Sequence, residues 1–320
     1  MKRIVLSLLI VLGVFTGATA QKANMDARKL QLALFAISNL YVDSTSETKL
    51  VEDAIVGMLD KLDPHSNYMD PEETKEMTEP LQGNFDGIGI QFNMLTDTLY
   101  VIQVIPGGPS EKVGLMAGDR IVTVDDSLFV GKKVTNERAM RTLKGPKGSQ
   151  VKLGIKRTGE KDLLHFNITR GDIPQNTVDA AYMLNDDIGY VKVSKFGRTT
   201  HVELLNALAQ LNHKNSKGLI IDLRGNTGGY MEAAIRMVNE FLPEGKLIVY
   251  TQGRKYPRAE EFANGTGSCQ KMPLVVLIDE GSASASEIFT GAIQDNDRGT
   301  VVGRRSFGKG LVQQPIDFSD

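Results

Sequence analysis

Cysteine is almost absent from this 320-residue chain: Cys269 stands alone, so no intrachain disulfide can form. It lies in a polar, glycine-rich stretch without a partner motif and reads as incidental. Histidine is scarce as well; His65, His165, His201 and His213 account for all four. None adjoins a loop that follows an α/β strand end, and the Gly-x-Ser-x-Gly elbow is missing, which leaves a Ser-His-Asp triad without a base. An excess of charge is missing too, since the formal net charge is only −2. A general nucleic-acid binder draws its affinity from neutralising phosphates, so that class is set aside. No internal repeat or low-complexity linker interrupts the chain. No apolar run reaches the roughly 20 residues that span a bilayer.

What is present suffices for a folded protein. The apolar fraction, 41 %, supports a sizeable core. The length allows two domains of about 100–200 residues each. Lys2 and Arg3 precede an apolar run from Ile4 to Phe15, and Ala18-Thr19-Ala20 offers small residues where a signal peptidase reads them. This pattern predicts a secretory signal over residues 1–20, cut after Ala20, and hence a periplasmic or extracellular location with no stable membrane span after its removal. No cysteine follows the small residues, which argues against a lipid anchor at that cut.

Three regions follow. Residues 21–83 read as a helical N-terminal region: Ser44-Thr45-Ser46-Glu47 fits a capping box, and Leu50, Val51, Ala54, Ile55, Met58, Leu59 and Leu62 recur at helical spacing. Asp63-Pro64 is expected to end that helix. Residues 84–171 form a small β-rich module. Its strands start at Gly87, Leu99, Ile121 and Val151, the last closing the set, with a short helical run after Pro109 and a second helix over Asn136 to Leu143. Residues 172–320 alternate strand and helix, which implies an α/β layer fold of mixed strands and helices. Strands are predicted over Ile188–Val193, Gly218–Leu223, Leu247–Tyr250, Leu274–Ile278 and Thr300–Val302. Helices are predicted over Ala233–Leu242 and Ser286–Gln294, and another is marked by Val202, Leu205, Leu208, Ala209 and Leu211.

One segment joins a buried strand to a Gly/Ser/Ala turn and a helix start: Leu274 to Ile278, then Asp279-Glu280-Gly281-Ser282-Ala283-Ser284-Ala285-Ser286-Glu287. Active-site serines favour such turns, because free N–H groups at a helix start can receive a developing oxyanion. A plain helix cap at Ser284 or Ser286 fits the same residues. A nucleophilic serine needs a base, and lysine is the alternative to histidine. Lys309, in Gly303-Arg304-Arg305-Ser306-Phe307-Gly308-Lys309-Gly310, follows a short strand and is flanked by glycines that allow close backbone packing. Burial disfavours a charged amine, and a neutral one could take the serine proton.

Two decoys share this stretch. Gly303 to Gly310 lies one residue from a phosphate-binding loop, but Gly310 stands where Ser or Thr would hold magnesium, and no helix follows. Ser306-Phe307-Gly308-Lys309 matches an S-x-x-K pattern, yet that pattern needs a helix to bring its ends together, and Gly308 and Gly310 oppose one.

Taken together, Gly281 to Glu287, Asp295 and Phe307-Gly308-Lys309-Gly310 with Gln313 resemble the C-terminal processing peptidases, also called tail-specific proteases. The resemblance implies that Ser284 is the nucleophile, Lys309 its base and Gln313 the residue that orients the lysine. Asp222-Leu223-Arg224-Gly225-Asn226-Thr227-Gly228-Gly229 resembles the family's D-L-R-x-N-x-G-G signature. It implies an oxyanion hole built from the N–H of Ala285 and of Gly228 or Gly229, with the choice of glycine open. Gly87-Ile88-Gly89-Ile90 resembles a PDZ loop that captures a peptide's terminal carboxylate, the peptide then adding as a strand. Pro106 to Ser110 and Gly114 to Ile121 also fit a PDZ module. The implied core is of the ClpP/crotonase-like kind, with no cofactor and no metal. The family continues well beyond its lysine, so a chain ending at Asp320 is expected to be a fragment.

The implied function is serine endopeptidase action on proteins recognised through their C-termini, by an acyl-enzyme route. A non-catalytic PDZ adaptor is the rival reading, and an acyl-CoA-binding enzyme on a similar core a third. Protein or peptide substrates are the expected partners; homo-oligomerisation is left open.

Overall fold

The computed structural model describes residues 25–95, 97–211 and 216–318. The expected signal over residues 1–20 lies outside the described residues, as does His213. The described chain divides into two units. One takes the residues up to Glu72 together with those from Gln313 onward, and the other runs from Glu73 to Val312.

The first unit is helical, as the apolar periodicity predicts. Helix α1 covers residues 25–40 and α2 covers Glu47–Leu59. The start of α2 differs in detail from the expected capping box. Ser46, in an extended conformation, is the N-cap, and its side chain accepts the Lys49 N–H at 3.4 Å. Glu47 is therefore the first helical residue, where its charge suits the positive end of the helix dipole. The helix ends at Leu59, ahead of Asp63-Pro64. Asp63 instead folds the following loop, accepting the His65 N–H at 2.9 Å and the Ser66 hydroxyl at 2.9 Å.

Helix α3 (Pro71–Gln82) leads into the second unit, where two separate hydrophobic cores form. The first belongs to the β-rich module. Strands β1 (Asn84–Gly87), β2 (Ile90–Leu95), β3 (Thr98–Val104), β4 (Arg120–Val124) and β5 (Ser127–Leu128) come first, with the short helix α4 (Pro109–Lys112) after β3. Helix α5 (Asn136–Leu143), β6 (Gln150–Lys156), β7 (Leu164–Thr169) and β8 (Gly171–Pro174) complete it. The antiparallel sheet runs β2-β3-β4-β6-β7, with β5 beside β4, so β2 is an edge strand. Leu99, Val101, Ile121, Leu153, Ile155 and Ile168 fill its core. β6 does not close the set as expected: β7 pairs with it along its length. His165, Asn167 and Thr169 face outward on β7, so its apolar residues never make a continuous run. β1 and β8 pair with each other and tie off the module's two ends.

The second core belongs to the α/β layer. Its sheet runs β15-β14-β11-β10-β9. These are β9 (Val178–Met183), β10 (Ile188–Val193), β11 (Gly218–Asp222), β14 (Leu274–Ile278) and β15 (Thr300–Gly303). β10, β11, β14 and β15 are parallel to one another, and β9 is antiparallel to β10. Helices α6 (Thr200–Gln210), α7 (Met231–Asn239) and α8 (Ala285–Asp295) cross between strands, and β12 (Leu247–Thr251) pairs with β13 (Ala259–Phe262) apart from the sheet. Phe289 of α8 meets Phe241 edge-on, with ring centroids 5.7 Å apart, and both rings are fully buried. The buried face of α6 is Leu204, Ala207 and Leu208, with Leu211 after it. Val202 and Leu205, expected on that face, are 58 % and 38 % exposed. Two interleaved apolar stripes fit a helical period on this segment, and packing against the sheet selects one.

Candidate active site

The parallel sheet brings three loops to one edge. In register, Asp222 on β11 sits beside Leu277 on β14, which sits beside Val302 on β15. Gly229, Ser284 and Lys309 each lie seven residues beyond this row. Loops leaving the C-terminal ends of neighbouring parallel strands emerge side by side, the usual place for a site in an α/β sheet.

Ser284 is the N-cap of α8 and has φ +56°, ψ −112°. A side-chain-bearing residue is strained there, and such strain persists only where surrounding structure enforces it. Ser284 is half-buried, whereas its neighbours Ser282 and Ser286 are fully buried. Their hydroxyls are committed to the scaffold. Ser282 Oγ donates to the Leu223 carbonyl at 2.8 Å and accepts the Asp279 N–H at 3.0 Å, and Ser286 Oγ donates to the Asn226 carbonyl at 2.8 Å.

The loop after β11 packs directly on this turn. A Cβ on Gly228 would lie 2.7 Å from the Ala283 carbonyl oxygen and 2.9 Å from Ser284 Cβ, so only glycine fits. The two glycines differ in their donors. The Gly228 N–H is taken by Asn226 Oδ1 at 2.9 Å. Gly229 bridges to Phe196 through its neighbours: Phe196 N–H donates to the Gly228 carbonyl and Tyr230 N–H to the Phe196 carbonyl. Among the described residues, nothing accepts the N–H of Gly229 or of Ala285.

Glu287, in the first turn of α8, faces the lysine loop. Its Oε2 accepts the N–H of Ser284 at 2.8 Å and of Lys309 at 2.9 Å. Its Oε1 accepts the Ser306 hydroxyl at 2.7 Å and the Gly308 N–H at 2.6 Å. Burial pushes this carboxyl's pKa up, but the donors from Ser306, Ser284, Gly308 and Lys309 outweigh burial and hold it below the usual glutamate range. Lys309 is half-buried. Gln313 belongs to the first unit, where its side-chain amide donates to the His65 carbonyl at 2.7 Å.

Further residues to which the sequence assigned no role shape the site. Asn226 spans the β11 loop: its Nδ2 donates to the Val193 carbonyl at 3.0 Å while its Oδ1 holds Gly228. Asp279 Oδ1 accepts the N–H of Gly225 at 2.8 Å and of Gly281 at 3.0 Å, joining the two loops. Asp222, 1 % exposed at the end of β11, accepts Tyr190 OH at 2.7 Å and the Arg224 guanidinium at 2.6 Å. Burial works against ionising Asp222, but the Arg224 and Tyr190 donors prevail and keep its pKa far below the usual range. Burial and then Asp222 push the Tyr190 phenol up to about 12. The S-x-x-E spacing of Ser284 and Glu287 ahead of an apolar helix was a readable signal for Glu287; Asn226, Asp279 and Asp222 each combine a partner two residues away with one remote in sequence.

In the β-rich module, Ile88 and Gly89 link β1 to β2. Their carbonyls turn inward, accepting the N–H of Ser110 and of Ile105, both at 3.0 Å. The trans peptide plane then aims the N–H groups of Gly89 and Ile90 the opposite way. Gly87 is buried, and the Ile88 side chain is part of the module's core.

Comparison with known proteins assigns the chain to a family. Residues 187–320 match peptidase family S41, residues 87–168 the PDZ domain and residues 14–74 the N-terminal domain of the activating protease CtpB. The chain belongs to the carboxy-terminal processing proteases, serine peptidases of family S41. It is 38 % identical to the carboxy-terminal-processing protease of Bartonella bacilliformis over 300 residues, covering 91 % of this chain and 68 % of that one. It is 36 % identical to the carboxy-terminal processing protease CtpB of Bacillus subtilis over 314 residues, covering 95 % and 65 %. A solved photosystem II D1 C-terminal processing protease is 29 % identical, covering 90 % of this chain and 83 % of that one, with a TM-score of 0.48. The chain thus spans about two thirds of the length of these curated relatives.

Proposed function

We propose that this chain carries the catalytic and peptide-binding parts of a secreted serine endopeptidase that acts on proteins recognised through their C-termini. The observation that carries the reading is the strained Ser284 at a helix start, tied through one oxygen of Glu287 to the backbone of Lys309. In this reading the Lys309 amine takes the Ser284 proton as Oγ bonds to the scissile carbonyl carbon. The carbonyl electron pair moves onto oxygen, which the N–H groups of Gly229 and Ala285 receive; their lack of other acceptors favours Gly229 over Gly228. Collapse expels the amine, which leaves with a proton from the lysine, and an ester remains on Ser284. The Lys309 amine, neutral again, then takes a proton from a water that attacks the ester carbonyl, and returns it to Ser284 Oγ as the acid product leaves. Gln313 is assigned the orientation of Lys309 by hydrogen bonding. Turnover of an unstructured protein by the full-length enzyme, set against its Ser284→Ala form, tests the assignment. A PDZ adaptor would bind the same termini without turnover.

The PDZ module supplies the recognition of C-termini. Gly87 to Ile90 would hold the terminal carboxylate through the outward N–H groups, and the peptide would extend the sheet along the edge strand β2. Ile90, Phe92 and Met94 face one side of β2 and favour an apolar last residue. Titration of the full-length Ser284→Ala protein with one apolar-ended peptide should show at least about tenfold weaker binding after amidation of its terminus, because hydrogen bonds to a charged acceptor are lost. Equal affinity for the two forms would exclude carboxylate capture.

Secretion rests on the charged start, the short apolar run and Ala18-Thr19-Ala20. Among the described residues no helix is long and apolar enough to cross a membrane. N-terminal sequencing of the mature soluble protein should begin near Gln21; recovery of residues 4–15 intact would contradict the proposal.

A further inference from the structure

The lysine loop, residues 304–310, has no regular secondary structure of its own, and the Phe307 ring is 65 % exposed. Arg304 pairs with Glu280, but both side chains are 70 % exposed, and such surface pairs contribute little. Phe307 N–H donates to the Ser282 carbonyl at 3.0 Å. Arg304 N–H donates to the Ile278 carbonyl at 3.2 Å. Three further donors of the loop converge on Glu287, whose two oxygens accept four donors in all, the fourth from the nucleophile turn. α8, from which Glu287 projects, is itself fixed by the buried Phe289 and Ile293.

We propose that Glu287 is a positioning residue that latches the lysine loop to the nucleophile turn, so that the alignment of Ser284 with Lys309 depends on an ionised carboxylate. This rests on the reading of Ser284 and Lys309 as nucleophile and base. A carboxylate has acceptors only, and two oxygens can serve four donors. Glutamine has nearly the same shape but presents an NH₂ where donors already point, so one side of the latch becomes donor against donor. Aspartate keeps the charge but is a methylene shorter and cannot span from α8 to both segments without moving one of them. Peptide capture by the PDZ module involves none of these atoms, so a broken latch should lower kcat and spare KM.

In the full-length enzyme, Glu287→Gln and Glu287→Asp should each lower kcat by about tenfold to a hundredfold or more, the scale of lost hydrogen bonds to a charged group, with KM within about threefold of wild type. Labelling of Ser284 by a fluorophosphonate should slow by a similar factor, because it needs an activated serine but no peptide recognition. Ser306→Ala removes one donor and should lower kcat a few-fold. Combined with Glu287→Gln it should cost less than the product of the two effects, because both act on one contact. Glu287→Gln with kcat and labelling near wild type overturns the latch, even if its thermal midpoint falls. If Glu287→Gln does not fold, Ser306→Ala decides: a lower kcat at an unchanged thermal midpoint supports the latch, and an unchanged kcat overturns it. Activity persisting in Ser284→Ala would instead remove the catalytic reading itself.

Discussion

Ser284→Ala in the full-length enzyme should abolish turnover of a disordered protein, lowering kcat by several orders of magnitude, as loss of the nucleophile does in other serine enzymes. The three nearby serines make the contrast. Ser282 and Ser286 are buried, with hydroxyls that hold the Leu223 and Asn226 carbonyls and, for Ser282, the Asp279 N–H. Their removal leaves backbone groups unpaired and should cost about 1–3 kcal/mol of stability each, while kcat stays within about tenfold. Ser306 donates to Glu287, and its removal should lower kcat a few-fold. The measurement is kcat and the thermal midpoint for all four alanine variants. A Ser284→Ala enzyme that turns over near the wild-type rate would rule out this serine as nucleophile. A Ser282→Ala or Ser286→Ala enzyme that is fully stable yet inactive would transfer the role to that hydroxyl.

Lys309→Arg should be nearly as inactive as Lys309→Ala. Arginine keeps a positive charge and a long side chain, but its guanidinium cannot be deprotonated in a protein and so cannot accept the Ser284 proton. The backbone N–H that bonds Glu287 is retained in both variants, so the loop should remain latched and the folded state intact. Both enzymes should bind peptide C-termini as wild type does while kcat falls by several orders of magnitude. A Lys309→Arg enzyme with substantial activity would make residue 309 a fixed charge near the site, and the base would have to be sought elsewhere.

Buried strands were the most legible part of the chain. β11 and β14 are short, largely buried apolar runs, and such strands need little else to be recognised. α5 spans Asn136–Leu143, the bounds expected from the sequence. β7 and β9 were not legible: β7 alternates its apolar residues with exposed His165, Asn167 and Thr169, and β9 exposes Asp179, Tyr182 and Met183 with no clean alternation. The start of α2 was off because Ser44 and Ser46 both offer a cap, and backbone conformation chooses between them.

Local residue patterns already marked an edge-stranded PDZ module and an α/β layer, and placed a serine turn, a glycine pair and a lysine loop each after a strand. These features are local: apolar runs report burial, and glycines report backbone conformations that other residues resist. Tertiary structure decided what each polar group meets. The parallel register of β11, β14 and β15 sets the three loops side by side. Asn226 occupies the Gly228 N–H and leaves that of Gly229 open, a distinction invisible in two adjacent glycines. Glu287 gathers donors from Ser284 and from residues about twenty positions further along the chain. Hydrogen-bond partners remote in sequence depend on how the layers pack, and no local pattern of residues encodes that choice.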